Sequence, residues 1–281
     1  MTADAFAISR ISEIPGLAGL VHRIGAYDVD AVNAVGDREV ASFVVPIIIS
    51  FADPFRIAFD REPEADDRIG SFVSGLHAGY VDIAYGGPVS CLQIDLTPIG
   101  GRLFFGRPMA ELATRLVPLD DVEDPGLNAL SGQLGEAATQ PERLRIAVAF
   151  LEHRLLGQAV APEVNFIWSA ILRSRGTLRI DRLTEDLGWS RKRLAAHARD
   201  AFGMTPKRLA RVARFQHATD LAQSAQYPDW AGIAAACGYS DQAHLVRDFN
   251  AFAGETPERW CSRQNPQPTK QNDNTDEGHP V

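Results

Sequence analysis

Twice in the back half of this sequence a short helix is stopped by a glycine and a second helix starts within three residues. In the later copy Gly238 can end one helix in the left-handed conformation, and Ser240 can accept a hydrogen bond from an unpaired backbone N–H at the start of the next. Upstream, Asp229 can cap a helix whose Trp230, Ile233, Ala234 and Cys237 fall at i, i+3, i+4 and i+7; downstream, Leu245, Phe249 and Phe252 make a second apolar stripe. The earlier copy runs from about Asp181 to Leu187, stops at Gly188, and passes through Trp189-Ser190 into Arg191–Asp200, closed by Phe202-Gly203. There Leu194 and Ala198 face inward. Thr205-Pro206 opens a long helix to about Ser224, rich in Lys207, Arg208, Arg211 and Arg214, which joins the two units. A chain punctuated in this way reads as two helical hairpins on one spine.

The outward sides of the second helices differ from a packing surface. Gln242, Ala243, Val246 and Arg247 share one, and Lys192, Ala195, Ala196 and Arg199 share the other. Gln and Arg can make bidentate hydrogen bonds to base edges, and Ala or Val can pack on a thymine methyl. A single hairpin is common in proteins that never meet DNA. Two copies joined by a basic helix could enter successive major-groove segments, roughly 34 Å apart. Charge agrees once it is divided along the chain. The net −8 splits into −10 over residues 1–162, +4 over 163–263 and −2 over the tail. An acidic front with a basic back is the asymmetry expected when only the back half meets phosphate.

The length of 281 residues suggests two domains. The boundary is drawn at Ala161-Pro162, giving a β-rich domain over 1–160, an all-helical domain over 161–263 and a polar tail over 264–281 expected to be disordered. Residues 1–40 show helical or turn-like pieces and no motif. The spacing predicts strands within 41–52, 55–59, 71–76, 80–85 and 89–96, a small sandwich or barrel of cupin-like outline. Gly100-Gly101 and Gly106 read as turn and packing residues, Met109–Leu116 and Leu127–Ala138 as helices, and Pro141 as the start of a helix with Leu144, Val148, Leu151 and Leu155 on one face. No apolar run is long enough to span a bilayer, and the start of the chain lacks a signal-peptide pattern, so a cytoplasmic protein with no membrane partner is expected.

The back half resembles the C-terminal domain of the AraC/XylS family of bacterial transcription regulators over roughly residues 165–260. The match rests on Ile233-Ala234, Gly238 to His244, Arg247-Asp248-Phe249, Gly254 and Thr256-Pro257, and on Leu187 to Ser190, Leu194, Phe202 to Lys207 and Arg211 to Phe215. The resemblance implies groove contacts from Lys192, Ala195 and Ala196, and from Gln242, Ala243, His244, Val246 and Arg247. Arg191 and Arg193 are the expected phosphate partners, with Arg199 available to bases or phosphates. Two departures stand out: Ala196 where the family commonly has Arg, and Ala198 where a core Phe is usual. The front half is similar, far more loosely, to the family's sensory or dimerisation domains.

The implied partners are double-stranded DNA, a small effector, RNA polymerase and a second copy of the chain. No cofactor or metal is expected, because His22, His77 and His153 lack ligand spacing and Cys91, Cys237 and Cys261 offer no CxxC. No GxSxG elbow is present, and Cys91 in an apolar strand is a poor nucleophile, so an enzyme is not expected. Two readings of the front half stay open: it binds an effector, or it binds no ligand and only dimerises or recruits a protein.

Overall fold

The computed structural model describes residues 6–30, 36–225 and 228–264. Among the described residues the front half holds ten strands: β1 (Phe6–Ile11), β2 (Val21–Val29), β3 (Asp37–Glu39), β4 (Val45–Ser50), β5 (Phe55–Phe59), β6 (Arg68–Ile69), β7 (Phe72–Ser74), β8 (Val81–Ala84), β9 (Val89–Leu96) and β10 (Leu116–Pro118). They form two antiparallel sheets, one in the order β1-β2-β9-β4-β7-β10 and the other β3-β8-β5-β6. Among the helices α1 (Pro98–Phe105), α2 (Pro125–Glu136) and α3 (Gln140–Leu155) belong to this half. The predicted sandwich is therefore present, with the larger sheet covered on both faces.

That double coverage explains the unbroken apolar run around β4. Val45, Ile47 and Ile49 are fully buried in the main core with Leu92 and Ile94 of β9 and with Leu127, Leu144 and Leu151 of the helices. The alternate residue Ile48 joins a separate cluster with Phe55, Ile57, Phe72 and Cys91, between the sheets. A strand buried on both faces has no polar side to show.

Several expectations shift. β1, β2 and β3 occupy residues read as helical or turn-like, and β2 lies beside the central β9. Its signal is blurred by a register shift between Val21 and Arg23 and by Arg23 itself, which is held by the buried Asp95 at 2.5 Å. Met109–Leu116 is not a helix: a 3-10 turn at Met109–Glu111 ends, Thr114 takes φ +56°, and the chain pairs Leu116 with Ser74. On α3, Ala147 is buried where Val148 was expected, and Val148 is half-buried.

The stretch at Gly100-Gly101 is helical too, inside α1, with Thr97 capping it through a bond from the Gly100 N–H at 2.9 Å. Gly100 is required by packing, since a Cβ there would lie 1.9 Å from the carbonyl oxygen of Leu20. Gly100→Ala is expected to cost about 3 kcal/mol in urea unfolding, the scale of core overpacking. Loss of less than about 1 kcal/mol would mean that the α1 contact with Leu20 yields easily.

Beyond β10 the described chain is helical: α4 (Pro162–Arg173), α5 (Ile180–Leu187), α6 (Arg191–Phe202), α7 (Pro206–Gln223), α8 (Trp230–Ala236), α9 (Gln242–Ala253) and α10 (Pro257–Gln264). The polar stretch from Ser262 is thus ordered as far as Gln264, because α10 anchors Trp260 in the core and Arg263 on Glu255 at 2.8 Å; residues 265–281 lie outside the described residues. The halves share one core, in which Phe43 packs edge-on to Trp168 at 4.8 Å. Polar links add to it: Arg102 to Asp200 at 3.2 Å and the Arg208 guanidinium donating to the Ala78 carbonyl at 3.1 Å. No helix among the described residues is long and apolar enough to cross a membrane.

Candidate nucleic-acid interface and interior cavity

Each hairpin turn is built the same way. Gly188 (φ +63°) follows α5, and its N–H and that of Trp189 close back onto Glu185 and Thr184. Gly238 (φ +72°) follows α8, and its N–H and that of Tyr239 close back onto Ala235 and Ala234. Both second helices are then side-chain capped. Ser190 caps α6 by accepting from the Arg193 N–H, as expected. At α9 the cap is Asp241, which accepts from the His244 N–H at 2.7 Å, whereas Ser240 donates to the Asp241 carboxylate. The correction is one residue, and it follows from reach: Asp241 stands three residues before the N–H it satisfies.

The buried stripes emerge as the periodicity predicts. Leu194, Ala198, Ala201 and Phe202 of α6 face inward, as do Leu245, Asp248, Phe249 and Phe252 of α9. Phe249 is the hub of the second unit, edge-on to Phe215, Trp230 and Trp260 at 5.0, 5.5 and 5.7 Å. The opposite faces are bare. Lys192, Ala196 and Arg199 on α6 and Gln242, Ala243 and Arg247 on α9 are exposed; Ala195, His244 and Val246 are half-buried.

The candidate cations are not equivalent. Arg191 is paired with Asp181 through contacts of 2.8 and 2.5 Å, and Arg193 stacks over the Trp189 ring at 4.4 Å, with His197 beside the same ring. His244 is held by the turn, with Nδ1 3.3 Å from the Ser240 hydroxyl and its ring edge-on to Tyr239. Among the described residues, Lys192, Arg199, Gln242 and Arg247 make no side-chain hydrogen bond or ion pair and are free to meet a ligand.

One supporting group escaped sequence reading. Asp248 lies next to the exposed Arg247 yet is buried, and its carboxylate accepts from Arg211 of α7 at 2.7 Å. This pair fastens α9 to the joining helix. Its signal was the i, i+3, i+4, i+7 frame of Leu245, Asp248, Phe249 and Phe252, which places Asp248 on the apolar face.

Between the sheets of the front half lies a cavity of about 160 Å³. Register explains its walls. Phe55, Ile57 and Phe59 of β5 and Val81 and Ile83 of β8 alternate onto one side, and Tyr27, Ile48, Phe72, Val89 and Cys91 line the other. Among the described residues no Lys or Arg lines it. Burial pushes the Tyr85 hydroxyl and the Cys91 thiol each up to about 12, and burial also holds His77 below its usual range despite its 3.2 Å contact with Asp60.

Glu39 lines the cavity from β3. Its neighbour Arg38 pairs with Asp82 through two 2.6 Å contacts and stacks over Tyr80. Arg38 also reaches the carbonyl of Gly254, the cap that closes α9, at 3.4 Å, while its own carbonyl accepts from Arg263 of α10.

Two glycine-stopped turns, each leading into a capped helix with a bare outer face and unpaired polar side chains, define a helix-turn-helix DNA-binding protein. The family model described as a helix-turn-helix domain matches residues 183–263. That domain is of the AraC type, and the chain carrying it is a DNA-binding transcription regulator. No curated protein matches the sequence. Among solved structures the chain is similar to ToxT from Vibrio cholerae O395, at 11% identity over 92% of this chain and 98% of that one, with a TM-score of 0.42. It is similar at the same level to wild-type ToxT from Vibrio cholerae strain SCE256 with an unsaturated fatty acid bound: 11% identity, 85% and 94% coverage, TM-score 0.41. Both likenesses are loose.

Proposed function

We propose that the protein is a sequence-specific regulator that lays α6 and α9 into successive major-groove segments and is controlled by a small effector held between the sheets of its front half. The observation that carries the DNA reading is the pair of bare, capped helices with free Lys192, Arg199, Gln242 and Arg247. On this reading Gln242 and Arg247 read base edges, Ala243, Val246, Ala195 and Ala196 offer apolar contact, and Lys192 and Arg199 meet bases or phosphates. Arg191 and Arg193 meet phosphate, Arg191 by exchanging Asp181 for it. The protein acts by binding, in the cytoplasm, with RNA polymerase and a second copy of the chain as its protein partners.

An effector is favoured over a front half that only dimerises because the interior is not filled. An apolar cavity with a few polar groups is the usual form of a small-molecule site. Strand β3 joins that cavity to α9, since Glu39 looks into it while Arg38 holds the Gly254 carbonyl.

Selection of bound sequences from a random DNA pool by the full-length protein tests the DNA reading. Two short conserved blocks about one helical turn apart are expected. No enriched sequence would refute specific readout by α6 and α9.

A further inference from the structure

We infer that the cavity between the sheets is a site for a small aromatic amine, with its ring among the apolar walls and its ammonium against the Glu39 carboxylate. This rests on the effector reading above and names the class of ligand.

The shape comes first. A volume of about 160 Å³ suits a substituted aromatic ring, since an engineered apolar cavity of roughly 150 Å³ takes benzene. Phe55 stands edge-on to Phe72 at 6.4 Å and to Tyr85 at 6.1 Å, the geometry in which a further ring finds edges and faces to pack on.

Charge sets the rest. Among the described residues the cavity has no lysine or arginine to meet an acid. The guanidiniums beside Glu39 are committed elsewhere, Arg23 to Asp95 and Arg38 to Asp82. Glu39 is the reverse case. Among the described residues nothing donates a hydrogen bond to its carboxylate, and it forms no ion pair. Glu39 is exposed, and among the residues that line the cavity it is the one carboxylate seen in the described residues. Burial, reinforced by Asp95 and Asp37 and opposed by Arg23, pushes its carboxyl up to about 7. An exposed carboxylate at the edge of an apolar cavity with no lysine or arginine among its described lining residues favours a ligand that carries positive charge on an apolar body. A ligand carboxylate would add a fourth negative group beside Glu39, Asp37 and Asp95.

Calorimetric titration of the full-length protein with phenethylamine, phenethyl alcohol and phenylacetate is the test. Phenethylamine is expected to bind at least about 10-fold more tightly than phenylacetate, the scale of one charged hydrogen bond. Glu39→Gln should lose at least about 10-fold for the amine and leave the alcohol unchanged, which also shows that the variant keeps its cavity. Raising the pH from about 6 to about 8 ionises Glu39 and should strengthen amine binding to the natural protein but not to the variant. Phenylacetate binding as tightly as the amine, an amine affinity unmoved by Glu39→Gln, or equal loss of amine and alcohol in that variant overturns the assignment. In those cases a ligand cavity still stands. Failure of all three probes to bind overturns the effector reading as well.

Discussion

Replacing Gln242 and Arg247 together by alanine is expected to weaken binding to the selected operator by about 3 kcal/mol, roughly 100-fold, with little change on random DNA. The sign and size follow from the freedom of these side chains, which among the described residues make no side-chain hydrogen bond or ion pair. Both are exposed on the first two turns of α9, and neither gives up an internal bond to reach a base. Each bidentate base contact is worth about 1–3 kcal/mol, so removing both is expected to fall in the lower half of a summed range of about 2–6 kcal/mol. Titrating labelled operator and random duplexes at one salt concentration checks this. Equal losses on the two would make Gln242 and Arg247 backbone contacts. A companion series in salt separates the roles further, because a phosphate contact such as that proposed for Lys192 flattens the salt dependence and a base contact does not.

The second large effect is on stability. Arg211→Leu keeps apolar bulk where the guanidinium now stacks over Phe252 at 5.0 Å, but it strands the Asp248 carboxylate, whose side chain is 2% exposed. Removing one partner of a buried pair costs several kcal/mol. Here about 2–3 kcal/mol is expected, since Arg211 is itself 41% exposed and water already screens the pair. Replacing both partners by leucine should recover most of the loss, because no charge is then left unpaired. Urea unfolding of the two variants decides the matter. A double variant as unstable as the single would locate the cost in packing rather than in the stranded charge.

The two halves of the chain were unequally legible, for a physical reason. In the back half the signals are local: a glycine in the left-handed region, a cap three residues before the N–H it satisfies, a stripe at helical spacing. Gly188, Gly238, Leu194 and Phe249 announce their roles within a window of about ten residues. At the start of α9 two suitable capping residues, Ser240 and Asp241, stand side by side, and only the backbone chooses between them. In the front half the decisive relations are distant. Tyr27 faces the cavity because β2 pairs with β9, where its partner is Cys91. Glu39 sits in a charged stretch with turn-like character, and only the register of β3 on β8, Glu39 opposite Val81, puts it on the cavity side of the sheet. No pattern confined to residues 36–40 carries that information. The candidate groove residues were legible as a face, but not their differing freedom, since the pairing of Arg191 with Asp181 crosses between helices.

Strand β3 is only three residues long, and its neighbouring side chains point to opposite sides: Glu39 to the cavity and Arg38 to the end of α9. So short a segment has no interior over which a displacement could be absorbed. If a ligand at Glu39 changes the protein's grip on DNA through it, thermodynamic linkage requires DNA to change the grip on the ligand by the same factor. The operator then becomes an effector of the cavity. A cell's sensitivity to the small molecule would depend on how many binding sites its genome presents, and the same protein would report different thresholds when free and when seated at a promoter.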